Sequence, residues 1–224
     1  MKTCIVIPAY NEGGRIEIVV KNLLEQNFVD IIVVDDGSTD NTLANLQKLP
    51  IIYTAHSTNL GQGAALRTGT RLAILKGFEA VIHFDADGQH RLEDLSTIIN
   101  ELHCSDNQII LGSRFLQAKP NLPLKKKIIL TLAKLFSSKI LMLEFTDPQS
   151  GLRAFRTGII DELNWQHDDF AHCTEILSLI SKNKLKFREI PITVNYNKET
   201  SSKQVRPQIS LGWKLFWAKI LNRI

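Results

Sequence analysis

The sequence predicts an α/β domain with a mostly parallel central sheet and helices on both faces. Three observations lead there. Short β-branched runs alternate with helix-length amphipathic segments through the first half of the chain. The runs are nearly all apolar, as strands covered on both faces must be. The polar, glycine-bearing stretches fall just after runs, at the strand ends where such sheets bind ligands.

The elements follow in order. Residues 4–8 (CIVIP) form the first predicted strand; PAYNEGG ends it, and apolar residues at helical spacing mark a helix over 15–26. A second strand at 31–35 ends in DDGSTDNT, whose Gly37 permits a tight turn and whose Ser38 to Asp40 can cap a helix over 41–48. A third strand at 51–55 leads into NLGQGAALRTG and a helix over 63–76. A fourth at 80–84 ends in DADGQH before a helix over 92–102, and a fifth lies at 108–112.

Beyond residue 115 the pattern changes. Residues 122–143 read as a largely apolar helix on which Lys127, Thr131, Lys134 and Ser138 share one polar stripe. Lys134 and Lys139 interrupt it too much for a membrane span. Residues 204–224 form a basic amphipathic helix with Trp213, Phe216, Trp217, Ile220 and Ile224 on one face. That helix either docks on the domain or lies in a membrane interface. The expected division is a domain over 1–203 with the helix 204–224 appended.

Composition bounds the function. With 44% hydrophobic and 22% charged residues over 224, the chain reads as a soluble globular protein with one sizeable core. Cys4, Cys104 and Cys173 lack metal-type spacing, so neither a disulfide framework nor a zinc site is expected. The first apolar run is too short for a signal peptide, which makes a reducing, cytoplasmic setting the default. The net charge of +4 is uneven: no acid lies between Asp106 and Glu144, nor after Glu199, while both stretches carry lysine and arginine. Such blocks either meet an anionic partner (a phosphate, a nucleic acid or an acidic membrane surface) or simply solubilise exposed helices.

The polar strand ends carry the chemistry. Asp85 and Asp87, with the amide oxygen of Gln89, offer hard oxygen ligands suited to Mg²⁺ or Mn²⁺. Such ions take one or two carboxylates from protein and fill the remaining positions with phosphate and water, so a protein–metal–diphosphate complex is expected. His90 is expected at the rim of this turn. Asp35 and Asp36 end the second strand, where a carboxylate can accept hydrogen bonds from a nucleobase; Asp40 is explained by capping. NLGQGAALRTG has neither a Walker GK[ST] nor G-x-G-x-x-G after a strand. It reads as a loop allowing close backbone approach, with some likeness to phosphate-binding loops.

Taken together, IPAYNE (7–12), VVDDGSTDNT (33–42), NLGQGAALRTG (59–69), FDADGQH (84–90), LGSRF (111–115), TDPQSGLRAF (146–155) and IPITVNYNKETSSK (190–203) resemble a family-2 glycosyltransferase of the GT-A fold. The similarity is to the branch of dolichol-phosphate mannosyltransferases and bacterial polyprenyl-phosphate glycosyltransferases. The resemblance implies that Pro8, Tyr10, Glu12 and Asp36 bind the nucleoside. It implies that Asp85, Ala86, Asp87 and Gln89 surround the divalent ion and donor diphosphate, and that Arg114 meets phosphate at the reaction centre. Lys127 and Thr131 match an acceptor-phosphate pair in which arginine and serine are usual. Lys203 matches a late lysine reaching the donor; its usual arginine partner is Asn197 here, beside Lys198.

The implied activity is inverting transfer of a sugar from a GDP- or UDP-linked donor to a polyprenyl or dolichyl phosphate, with Mg²⁺ or Mn²⁺ stabilising the leaving diphosphate. A lipid phosphate is already an anion and needs no general base. Transfer to a sugar hydroxyl, the alternative, needs one. Glu175 in HCTEIL is then the candidate, ahead of Asp168 and Asp169, with a structural role at the acceptor loop as its other reading. From a different class, the chain could be a non-catalytic nucleotide-sugar-binding subunit, against which intact Asp85, Asp87, Gln89 and Arg114 argue. No nucleic acid is expected; the implied location is peripheral at the inner face of a membrane, with a separate membrane subunit as a possible partner.

Overall fold

The computed structural model describes residues 1–117 and 145–195. Seven strands form one sheet: β1 (Thr3–Ala9), β2 (Ile31–Asp35), β3 (Ile52–Ala55), β4 (Ala80–His83), β5 (Ile109–Ser113), β6 (Arg153–Arg156) and β7 (Phe187–Pro191), in the order β3-β2-β1-β4-β6-β5-β7. The ladders are parallel except at β6, which runs antiparallel to both β4 and β5. The helices are α1 (Ile16–Glu25), α2 (Thr42–Leu46), α3 (Gln62–Leu75), α4 (Leu92–Cys104) and α5 (His172–Lys182).

Strand alternation divides the core between the two faces. Ile5, Ile7, Ile31 and Val33 pack with Ile16, Val20 and Leu23 of α1 and Leu95, Ile98 and Leu102 of α4. Cys4, Val6, Ile32 and Val34 face Ala65, Leu66 and Ala73 of α3, Ile176, Leu177 and Ile180 of α5, and Trp165. Every residue of β2, β4 and β5 is buried, which accounts for the apolar runs that precede Asp35, His83 and Ser113 at their ends.

The site follows from chain order. From β1 the chain moves outward to β2 and β3, then returns to place β4 on the other side of β1. Strand order reverses at β1, so a crevice opens there beyond the carboxyl ends. The ladders agree: β1 pairs with β4 only from Thr3 to Val6 but with β2 from Ile5 to Ala9. Pro8, which cannot donate to a ladder, lies past the end of the β4 pairing.

The five strands and four helices expected from sequence are present, with ends shifted by up to two residues. Strands β6 and β7 and helix α5 were not predicted. Strand β6 reads RAFR, and Arg153 in it is 2% exposed; β7 reads FREIP and is largely uncovered. Neither shows the apolar run that marks the other strands. The apolar stretch 122–143 with Lys127 and Thr131, the late residues Asn197, Lys198 and Lys203, and the segment 204–224 lie outside the described residues. Among the described residues, no helix is long and apolar enough to cross a membrane.

Candidate active site

Asp85 leaves β4 at the crevice. Gln62, the first residue of α3, donates from Nε2 to Asp85 Oδ1 at 3.0 Å, and His90 Nε2 lies 3.4 Å from Oδ2. The backbone of Gly151 comes so close that a Cβ there would stand 2.2 Å from Oδ2. Burial works to raise the Asp85 pKa, but His90, Arg153 and His172 outweigh it and hold the carboxyl below its usual range. Ala86 is buried, and Gly88 turns the chain at φ +70° while Asp87 Oδ1 accepts the Gln89 N–H at 2.9 Å. Gln89 is 5% exposed; its carbonyl accepts the Asn195 N–H at 2.9 Å, while its amide Nε2 is sealed without a partner. His90 is not at the rim, as sequence suggested: its side chain is 6% exposed and turned to Asp85.

Across the crevice, the loop after β1 is stitched to the loop after β2. The N–H groups of Asn11, Glu12 and Gly13 donate to Ser38 Oγ (2.9 Å), Thr42 Oγ1 (2.9 Å) and Asp40 Oδ2 (3.0 Å). Asp40 Oδ1 also accepts the Thr42 N–H at 2.9 Å, the helix-start role expected for it. Tyr10 is 41% exposed beside this seam, and Glu12 pairs with Arg15 at 3.3 Å.

Asp36, the carboxylate expected to meet the nucleoside, is 2% exposed and accepts from His56 Nδ1 (2.7 Å), Leu60 N–H (3.0 Å), Gly61 N–H (2.7 Å) and Asn59 Nδ2 (3.0 Å). It organises the loop that leads into α3. That loop does not offer its amides to phosphate: the Gly63 and Ala64 N–H groups donate to the Asp168 carbonyl at 2.7 and 3.3 Å. The glycines do permit close backbone approach, and what approaches is residues 167–168 of the same chain.

Arg114 follows β5 on the same edge of the sheet. Its Nε and Nη2 donate to the two oxygens of Asp147 at 2.6 and 2.7 Å, and its backbone N–H donates to Oδ2 at 3.0 Å. The Asp147 side chain is fully buried. Glu189 on β7 in turn accepts the N–H groups of Thr146 at 2.9 Å and Asp147 at 3.3 Å.

Glu175 lies in the first turn of α5. Its carboxylate accepts the backbone N–H groups of Gln166 (2.9 Å) and His167 (2.8 Å), holding the segment that leads to α5. Asp168 pairs with Arg67, and Asp169 Oδ1 accepts the Ala171 N–H at 2.9 Å.

Residues 4–163 match the model of glycosyl transferase family 2. The chain belongs to that family. It is 33% identical over 245 residues to the UDP-N-acetylglucosamine–dolichyl-phosphate N-acetylglucosaminyltransferase of Methanococcus voltae, spanning 98% of this chain and 95% of the relative. It is 28% identical over 204 residues to polyprenol monophosphomannose synthase of Mycolicibacterium smegmatis, spanning 86% and 77%. Glucosyl-3-phosphoglycerate synthase of Mycobacterium tuberculosis, in a crystal structure with Mn²⁺ and UDP-glucose, matches with a TM-score of 0.68 at 19% identity, covering 99% of this chain and 78% of that one. That likeness establishes the GT-A fold.

In this family-2 glycosyltransferase the donor set at Asp85 and Asp87 fits a hard divalent cation. Among the described residues no group of three His, Cys, Asp or Glu side chains could hold a metal ion. An ion here would therefore complete its shell from diphosphate and water, as the sequence suggests. Sequence reasoning missed Gln62 and Asp147, although both lie inside quoted motifs, because nothing local says what either touches. It also missed Arg153, His172 and Cys173, whose charges act on one another and on Asp85; no spacing rule links β6 to α5.

Proposed function

We propose that this transferase moves a sugar, with inversion, from a nucleoside-diphosphate donor to a polyprenyl phosphate, working with Mg²⁺ or Mn²⁺. The observation that carries the reading is the pairing, on one edge of the sheet, of the Asp85/Asp87 turn with an Arg114 locked by buried Asp147. A divalent cation held by Asp85 and Asp87 supplies positive charge against the leaving diphosphate. Arg114 adds a guanidinium whose direction is set before substrate arrives, so little reorganisation is needed when charge develops. The exposed ring of Tyr10 offers a stacking face for the base. Lys127, Thr131 and Lys203 are proposed for acceptor phosphate and donor on the strength of the motif match alone.

Two considerations favour a lipid phosphate over a sugar hydroxyl. A phosphate acceptor requires no proton removal, and Glu175, the candidate base, is committed to backbone N–H groups. The two relatives named above carry dolichyl phosphate and polyprenol monophosphomannose in their names. Action on such an acceptor places the protein at a membrane surface, peripherally, at the inner face.

The test incubates the protein with polyprenyl phosphate, Mn²⁺ or Mg²⁺, and radiolabelled UDP-N-acetylglucosamine, UDP-glucose or GDP-mannose in turn. Labelled lipid is expected with one donor and not with Asp87→Ala. Transfer to a soluble saccharide, with no lipid product from any donor, would overturn the acceptor assignment.

A further inference from the structure

Beside Asp85 lies a set of charges that the proposed transfer does not use. Arg153 on β6 is 2% exposed, its Nη2 is sealed from solvent without a hydrogen-bond partner, and among the described residues no carboxylate pairs with it. A buried guanidinium is costly without an anion near it. The first turn of α5 supplies the setting for one. His172, itself 2% exposed, bonds through Nδ1 to the Asp169 carbonyl oxygen at 2.7 Å. A carbonyl oxygen only accepts, so Nδ1 carries the hydrogen, and Nε2 meets the Cys173 sulfur at 3.5 Å. In this tautomer Nε2 can take the thiol proton, leaving an imidazolium–thiolate pair. Cys173 is also the second residue of an 11-residue helix, where the N-terminal dipole favours an anion.

The charges agree with the geometry. Burial opposes the thiolate, yet His172 and Arg153 outweigh it and bring the Cys173 thiol down to about 6, with Asp85 acting in the other direction. Burial likewise opposes a charged His172, but the thiolate and the Asp169 carbonyl prevail against it and against Arg153, and the imidazole pKa is raised. Cys173 is partly exposed as a residue, unlike buried Cys4. Cys4 forms the contrast: it is buried and its thiol is pushed up to about 12, chiefly by that burial.

We propose that Cys173 is a modification site, a thiolate held by His172 and Arg153 for oxidation by small hydroperoxides. The sulfur lone pair attacks one oxygen of hydrogen peroxide; the S–O bond forms as the O–O bond breaks. The departing hydroxide takes the proton from His172 Nε2 and leaves as water. Sulfur loses two electrons to the peroxide, and the products are cysteine sulfenic acid, neutral imidazole and water. The site stands independently of the transferase reading.

The experiment treats the full native chain with limiting hydrogen peroxide at pH 6.5 and dimedone to trap sulfenic acid. Peptide mass spectrometry then reads the rates at each cysteine, with exposed Cys104 as internal comparator. A thiol at pKa 6 holds about 75 times more thiolate at this pH than an unperturbed thiol at about 8.5, while its intrinsic nucleophilicity is about 13-fold lower, so a net advantage of about sixfold is expected. Cys173 should therefore label several times faster than the more exposed Cys104, and Cys4 should not label. Equal or slower labelling of Cys173 would overturn the proposal. His172→Gln should bring the Cys173 rate to or below that of Cys104, and an unchanged rate in the folded variant would overturn it as well. Independently of any variant, iodoacetamide labelling of wild-type Cys173 should reach half its maximal rate near pH 6; a midpoint above pH 8 would refute the thiolate.

Discussion

Asp147 holds Arg114 by both edges of its carboxylate, at 2.6 Å to Nε and 2.7 Å to Nη2, from a fully buried position. Glu189 fixes the backbone that carries Asp147, so the direction of the guanidinium is set by three residues far apart in the chain. Such support turns a flexible side chain into a preorganised one.

Asp147→Asn is expected to lower kcat at least tenfold, because an amide cannot accept both guanidinium bonds and removes the negative charge that faces Arg114. Removing one partner of a buried pair also costs about 3–5 kcal/mol of stability. Arg114→Lys, which keeps the charge but loses the bidentate fork, should lower kcat with a smaller loss of stability. Steady-state kinetics beside chemical denaturation separates the two effects. Wild-type kcat in folded Asp147→Asn would remove Arg114 orientation from the mechanism.

Gly63→Ala tests the contact between α3 and the segment before α5. An added Cβ would lie 2.3 Å from the His167 carbonyl oxygen and 3.0 Å from His172 Cβ. Overpacking of this kind costs about 1–3 kcal/mol. A lowered Tm and faster proteolysis within 164–171 are expected. Gly158→Ala, where an added Cβ meets nothing within 4 Å, serves as control and should stay within about 0.5 kcal/mol of wild type.

Strand–helix alternation made β1 to β4 legible, because β1, β2 and β4 are covered on both faces and are apolar along nearly all their length. The Asp85/Asp87 turn was legible for a related reason: carboxylates ending such a strand need a compensating charge. Strand β6 escaped because its place between β4 and β5 is set by long-range pairing, and it begins with a buried Arg153 whose charge acts on Asp85 and Cys173. Asp36 was read from sequence only as a strand-end carboxylate able to meet a nucleobase. Its partners are His56 and residues 59–61, more than twenty positions on, or nearly so for His56, and no local rule connects them. Arg114 was found without Asp147 for the same reason.

Removing divalent metal should abolish turnover, and Mn²⁺ or Mg²⁺ should restore it. Calorimetric titration of UDP or GDP is expected to show at least tenfold weaker binding in chelator, with Asp87→Ala binding equally poorly whether or not Mn²⁺ is present. Nucleotide affinity that is the same with and without metal would show that Asp85 and Asp87 do not act through a cation.

Glu175→Gln separates the two acceptor classes. The carboxylate accepts the N–H groups of Gln166 and His167, both of which reach Oε2, so a glutamine amide oxygen in that place can keep them in weaker, uncharged form. With these hydrogen bonds to a charged group weakened, stability should fall by about 1–2 kcal/mol. If the acceptor is a phosphate anion, no proton is removed, and kcat at saturating acceptor should stay within about threefold of wild type. If the acceptor is a hydroxyl and Glu175 its base, kcat should drop by about 10²-fold or more while the protein remains folded.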